Sequence, residues 1–67
     1  MKLIINNKER EFPEDITLQE IIQSLEPEIN DPKTVLCVLN GTLVNSPFNY
    51  VLSEHDIIRV LPIPQGG

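Results

Sequence analysis

The sequence has one cysteine, no tryptophan, three aromatic residues in all and three glycines, two of which are its last residues. A lone cysteine forms no internal disulfide, and no cluster at metal-ligand spacing accompanies it, so no disulfide framework and no metal site are expected. A reducing compartment is its natural setting. Basic residues are also scarce: five Lys and Arg stand against ten Asp and Glu, a formal charge of −5. That balance repels phosphate backbones and anionic membrane surfaces, so neither nucleic acid nor membrane is an expected partner. The opening run Met1-Lys2-Leu3-Ile4-Ile5-Asn6 is too short for a signal peptide, and nothing approaches the length of a membrane span, which leads to the expectation of a cytoplasmic protein. Length is short as well. At 67 residues the chain is one domain, of a size that buries only about 60% of its unfolded surface. A core this small fills itself and leaves no room for a substrate cleft, so catalysis by this chain alone is not expected. What is present, 40% hydrophobic residues with 22% charged, is the composition of a folded globule.

Leu3-Ile4-Ile5 reads as a strand closed by a tight turn at Asn6-Asn7, and Glu9-Arg10-Glu11-Phe12 returns as a charged strand suited to a sheet edge, ending before Pro13. Thr17 with Glu20 three residues later forms a capping box, and Ile16 is placed to staple onto Ile21. Leu18, Ile21, Ile22 and Leu25 then fall at i, i+3, i+4 and i+7, the apolar stripe of a helix of two to three turns that Glu26-Pro27 ends. So short a helix needs a surface to pack on. Glu28 to Lys33 reads as loop. Val35-Leu36-Cys37-Val38-Leu39 is a strand, Asn40-Gly41 a hairpin turn and Thr42-Leu43-Val44 the return. An irregular stretch from Ser46 to Val51 offers Phe48 and Tyr50 as lids on the core. After a polar turn at Ser53 to Asp56, Ile57-Ile58-Arg59-Val60-Leu61 is the last strand, with Pro62 and Pro64 expected to stop further pairing and hold the tail extended. The fold class implied is α+β, a β-grasp (ubiquitin-like) domain: a four- to five-stranded mixed sheet with one helix packed on one face. Residues 1–62 form the domain and 63–67 an extended tail.

At this point the chain resembles the ThiS/MoaD-type sulfur carriers over its full length. The resemblance rests on Leu39-Asn40-Gly41 before a short strand, Leu52 with Asp56-Ile57-Ile58 opening the last strand, and Gly66-Gly67 at the end. Two departures stand out. His55-Asp56 replaces the Gly-Asp common in the family, and the Arg often found after the Asn-Gly strand of ThiS proteins is missing around Asn45-Ser46. Length resembles ThiS, whereas Leu61-Pro62-Ile63-Pro64 before the glycines is similar to MoaD.

The resemblance implies a carrier without catalytic residues. A ubiquitin-activating-like adenylyltransferase would use ATP and Mg, neither bound by this chain, to adenylylate the Gly67 carboxylate. A sulfur donor enzyme would convert the adenylate to a thiocarboxylate, and a sulfur-accepting synthase would take the sulfur, for the thiazole of thiamine in the ThiS case or molybdopterin in the MoaD case. Gln65 and Gly66 would be the slender, flexible approach to Gly67, since glycine has no Cβ to obstruct a narrow channel. A ubiquitin-like modifier and a plain β-grasp binding module remain alternatives.

Strand parity places a docking surface. Leu3, Ile5, Val35, Cys37, Leu39, Ile58 and Val60 point to the helix side. Ile4, Leu36, Val38, Ile57 and Leu61, with Arg59 among them, are left as an apolar patch on the opposite face, the usual character of an interaction site. Cys37, mid-strand between apolar neighbours, reads as a small buried hydrophobe, and His55 as a solvated turn residue. Glu26, Glu28 and Asp31 read as a solvated face that complements a basic rim on a partner.

Overall fold

The computed structural model describes residues 1–64. Five strands, β1 (Lys2–Ile5), β2 (Lys8–Glu11), β3 (Val35–Leu39), β4 (Thr42–Val44) and β5 (Ile57–Pro62), accompany one helix, α1 (Leu18–Gln23). The strands form one sheet in the order β2-β1-β5-β3-β4. β1 with β2 and β3 with β4 are antiparallel hairpins, and β5 enters between them, parallel to β1 and antiparallel to β3. With the helix on one face this is the β-grasp arrangement that the element order implies.

Both hairpins owe their register to two-residue turns. Asn6 and Asn7 have φ of 49° and 69°, and Asn40 and Gly41 have φ of 50° and 84°. Positive φ at both central residues is the turn whose twist matches that of paired strands. Asn enters this region more easily than other side-chain-bearing residues because its short amide bonds locally.

The capping box forms as its spacing implies. The Thr17 hydroxyl accepts from the Glu20 N–H at 3.3 Å, and the Glu20 carboxylate accepts from the Thr17 N–H at 3.0 Å. The Thr17 hydroxyl also donates to the Glu20 carboxylate at 3.0 Å, and the carboxylate's hydrogen bonds from the Thr17 backbone and then from its side chain hold the Glu20 carboxyl below its ordinary value. A depressed carboxylate stabilises the fold above its unfolded pKa, and the contribution is lost as pH falls through the folded value. Ser24 closes the helix, its N–H and hydroxyl both directed to the Ile21 carbonyl.

Leu18, Ile21 and Ile22 are fully buried against Leu3, Ile5, Val35, Cys37, Ile58 and Val60, with Ile16 packed at the cluster's margin. Every buried position in that core is apolar. Phe48 is buried and Tyr50 half-buried, as the reading of the irregular stretch implies. The helix, six residues long, is under two turns rather than the two to three expected. Three further points differ from the sequence reading. Leu39 is only half-buried, packed at the margin of the core rather than within it. The stretch read as loop holds two 3₁₀ turns, Pro27–Ile29 and Pro32–Thr34, and the first sends Ile29 into the core.

The third concerns Pro62, which does not stop pairing. It stands opposite Val35, and the Ile63 N–H donates to the Thr34 carbonyl at 2.9 Å. In an antiparallel ladder alternate residues direct their backbone groups to opposite sides. Ile57, Arg59, Leu61 and Ile63 bond toward β3, so the nitrogen of Pro62 faces the other way, past the end of β1, where no ladder bond is lost.

Candidate functional site

The two internal stretches singled out by the sequence meet at the start of β5. The Asn40 side chain donates to Asp56 Oδ1 at 2.9 Å and accepts from the Ile57 N–H at 2.8 Å, while its backbone N–H donates to the Ile57 carbonyl at 2.7 Å. Asp56 accepts from the Ser53 N–H through its other oxygen at 2.7 Å. The tip of the β3–β4 hairpin is thereby locked to the turn that launches β5. At the far side Asn6 extends β1 by one residue with its side chain: its amide oxygen accepts from the Val60 N–H at 2.9 Å and its amide nitrogen donates to the Val60 carbonyl at 3.2 Å. β5 is held from both sides as far as Val60, and beyond it by β3 alone.

His55, in the position where the resembling family commonly has Gly, has φ of 69° and donates its N–H to the Lys2 carbonyl at 2.7 Å. The departure from the family pattern is therefore a backbone cost. A left-handed L-residue costs about 1–2 kcal/mol, partly offset by the greater unfolded freedom of Gly. His55→Gly is expected to stabilise the domain by about 0.5–1 kcal/mol, a rise in Tm of about 2–8 °C. A calorimetric melt checks this, and a lowered Tm would show that the exposed imidazole contributes more than the backbone strain costs.

The face of the sheet away from the helix carries the expected patch in part. Ile57 is 50% exposed, Leu36 and Leu61 are each 41% exposed and Arg59 is exposed, whereas Ile4 and Val38 are half-buried. The pairing brings these residues together: Ile4 stands beside Ile57, Leu36 beside Leu61, and Val38 between Arg59 and a residue the sequence reading left out, Leu43. Leu43 is 57% exposed, more than any of the apolar residues chosen. The signal for it was available, since the two-residue Asn40-Gly41 turn sets Val38 opposite Leu43 and hence on one face.

Gly67, Gly66 and Gln65, the expected chemical end of the chain, lie outside the described residues. The last described contact toward them is the Ile63 bond to Thr34. Cys37 is fully buried in β3, and burial pushes its thiol up to about 11. It is a neutral, enclosed thiol at physiological pH, with the reactivity of a core hydrophobe. His55 is exposed, with Glu54 4.0 Å away on the surface. Among the described residues no group of three or more His, Cys, Asp or Glu is placed to hold a metal ion, and no helix is long and apolar enough to cross a membrane.

In comparison with protein families, the model described as the ThiS family matches residues 3–67. Comparisons with curated proteins and with solved structures return no match.

Proposed function

The chain belongs to the ThiS family, small ubiquitin-like sulfur carriers, and from that premise we propose that it carries sulfur as a thiocarboxylate on Gly67 for assembly of the thiamine thiazole. The observation that carries this reading is the reach of the family match to residue 67, which takes in Gly66-Gly67 as well as the domain. Length favours the thiazole over molybdopterin as destination. Lysine conjugation would share the same activation, since both uses begin by making the Gly67 acyl carbon electrophilic.

A carboxylate does not exchange oxygen for sulfur unaided, because oxide would have to leave. Attack of the Gly67 carboxylate on the α-phosphorus of ATP releases pyrophosphate and leaves an acyl-adenylate; hydrosulfide then displaces AMP and forms the C–S bond. An adenylyltransferase with Mg-ATP, a sulfur donor enzyme and a sulfur-accepting synthase supply these steps. This chain supplies the acyl group and the surface by which it is held. Gly67 is four residues beyond Ile63, so the carboxylate lies at most about 14 Å from the sheet's end in any conformation. An enzyme that processes Gly67 therefore stands close to the exposed face of β5, and Ile4, Leu36, Val38, Ile57, Arg59 and Leu61 are its proposed docking surface.

The test is the intact mass of the chain after incubation with its activating enzyme, Mg-ATP and a sulfide source. A gain of about 16 Da, one oxygen replaced by sulfur, is expected for the full chain and not after deletion of Gly67. A gain that survives the deletion would place the sulfur elsewhere. Isopeptide adducts on lysines would assign the activated chain to protein modification.

A further inference from the structure

β2 forms a free edge of the sheet, and its pairing with β1 leaves a defined set of groups unused. The tight turn makes Ile5 and Lys8 a hydrogen-bonded pair, and at the other end the Phe12 N–H donates to the Met1 carbonyl at 2.8 Å. The Met1 amine in turn donates to the Phe12 carbonyl. By alternation β1 uses the backbone of Lys8, Arg10 and Phe12, and the N–H and C=O of Glu9 and Glu11 are directed outward from the edge. Among the described residues none pairs with them.

The two flanks of this edge differ in charge. Lys8 and Arg10 share the helix side with a cleft lined by Ile5, Asn6, Leu25 and Glu26, so two cations face one carboxylate there in a chain of net charge −5. Ile5 and Leu25 are the buried apolar members of that lining. Glu9 and Glu11 point to the opposite face, beside Ile4 and Lys2.

We propose that the β2 edge is a strand-addition site for an extended segment of another protein, one with acidic residues at alternate positions toward Lys8 and Arg10 and basic residues between them toward Glu9 and Glu11. The backbone pairs at Glu9 and Glu11 supply attachment, and the alternating charge sets which segment is accepted. A second copy of this chain is the less suitable occupant. Antiparallel pairing of two such edges matches outward-directed residues with each other, which sets Glu opposite Glu and Lys or Arg opposite Lys or Arg, and like charges directly opposite are destabilising. The alternation that discourages self-pairing favours a strand of the reversed pattern. This edge lies at the opposite end of the sheet from β4, and although Glu9 stands beside Ile4 of the proposed docking face, the backbone groups it offers are directed away from β5, so the inference does not rest on the sulfur chemistry.

The probe is a short capped peptide alternating Lys and Glu, with a control of identical composition in which all the Lys precede all the Glu. Backbone amide exchange by NMR at low salt is expected to slow at Glu9 and Glu11 on adding the alternating peptide, with shift changes at Leu25. The block peptide is expected to bind at least about tenfold more weakly, as is the alternating peptide to the Lys8→Glu/Arg10→Glu chain. Four results would each overturn the proposal: no saturable shifts at millimolar peptide, equal binding of the two peptides, shifts confined to other strands, or protection of Glu9 and Glu11 that grows with protein concentration alone. The exchange measurement on the unaltered chain decides the matter even if the double substitution fails to fold.

Discussion

Ile57→Lys is expected to lower kcat/KM for adenylylation of Gly67 at least about tenfold while leaving the fold intact. Ile57 is half exposed on the outer face of β5, so a lysine there keeps its charge in water in the free carrier and changes little in the core. Against a partner the same charge must be desolvated. A central, fully desolvated contact is where substitutions in an interface have their largest effects, commonly 2 kcal/mol or more, about thirtyfold. Leu36→Asp should behave alike, since Leu36 stands in the neighbouring strand beside Leu61. Val51→Lys is the control: Val51 is 92% exposed but bridges to Thr17 at the start of the helix, away from this face. Pyrophosphate release measured over a range of carrier concentrations, alongside thermal melts, gives both numbers. Unchanged kinetics for Ile57→Lys with an unchanged melt would remove this face from the docking surface, without touching the assignment of chemistry to Gly67.

Most of the scaffold was legible because its signals were local and agreed with one another. The capping box at Thr17 and Glu20, the i, i+3, i+4, i+7 stripe and the Asn40-Gly41 turn each constrain a few residues. Together they leave one compact way to place a helix on a sheet. Burial of Leu3, Ile5, Val35, Cys37, Ile58 and Val60 followed from period two alone. What escaped the sequence depended on pairing. Ile29 enters the core from a three-residue turn that has no period to read. Pro62 is compatible with the sheet only because its nitrogen falls on the unpaired side of β5, a fact of register rather than composition. His55 gives no sign in sequence that its backbone is left-handed, except by standing where the resembling family has Gly. The candidate site divides in the same way. Its apolar face followed from strand parity, Leu43 needed the hairpin register, and its proposed chemical end rests on the sequence and the family match alone.

The sharpest test of the fold is the contrast between two adjacent isoleucines. Ile58 is fully buried, at a central strand of the sheet and within the cluster that receives Ile21 and Ile22, whereas Ile57 is half exposed on the other face. Ile58→Ala removes packed methyl and methylene groups and leaves a void that the surrounding strands fill incompletely, a loss of about 2–5 kcal/mol. A domain of this length holds about 3–10 kcal/mol of stability in total, so that single change is expected to bring the chain near the edge of folding and to lower Tm by about 8 °C or more, at about 4–8 °C per kcal/mol. Ile57→Ala removes a similar group from a partly solvated surface and should cost less than about 1 kcal/mol. Urea titrations of the two variants read the difference directly as a shift in midpoint at constant slope. Comparable losses at the two positions would mean that β5 does not sit in the register described, because a slip of one residue exchanges the faces of every side chain on the strand. A large loss at Ile58 with a small one at Ile57 fixes the helix-facing side of β5. It also leaves Ile57, Arg59 and Leu61 free to be altered for partner binding without unfolding the carrier.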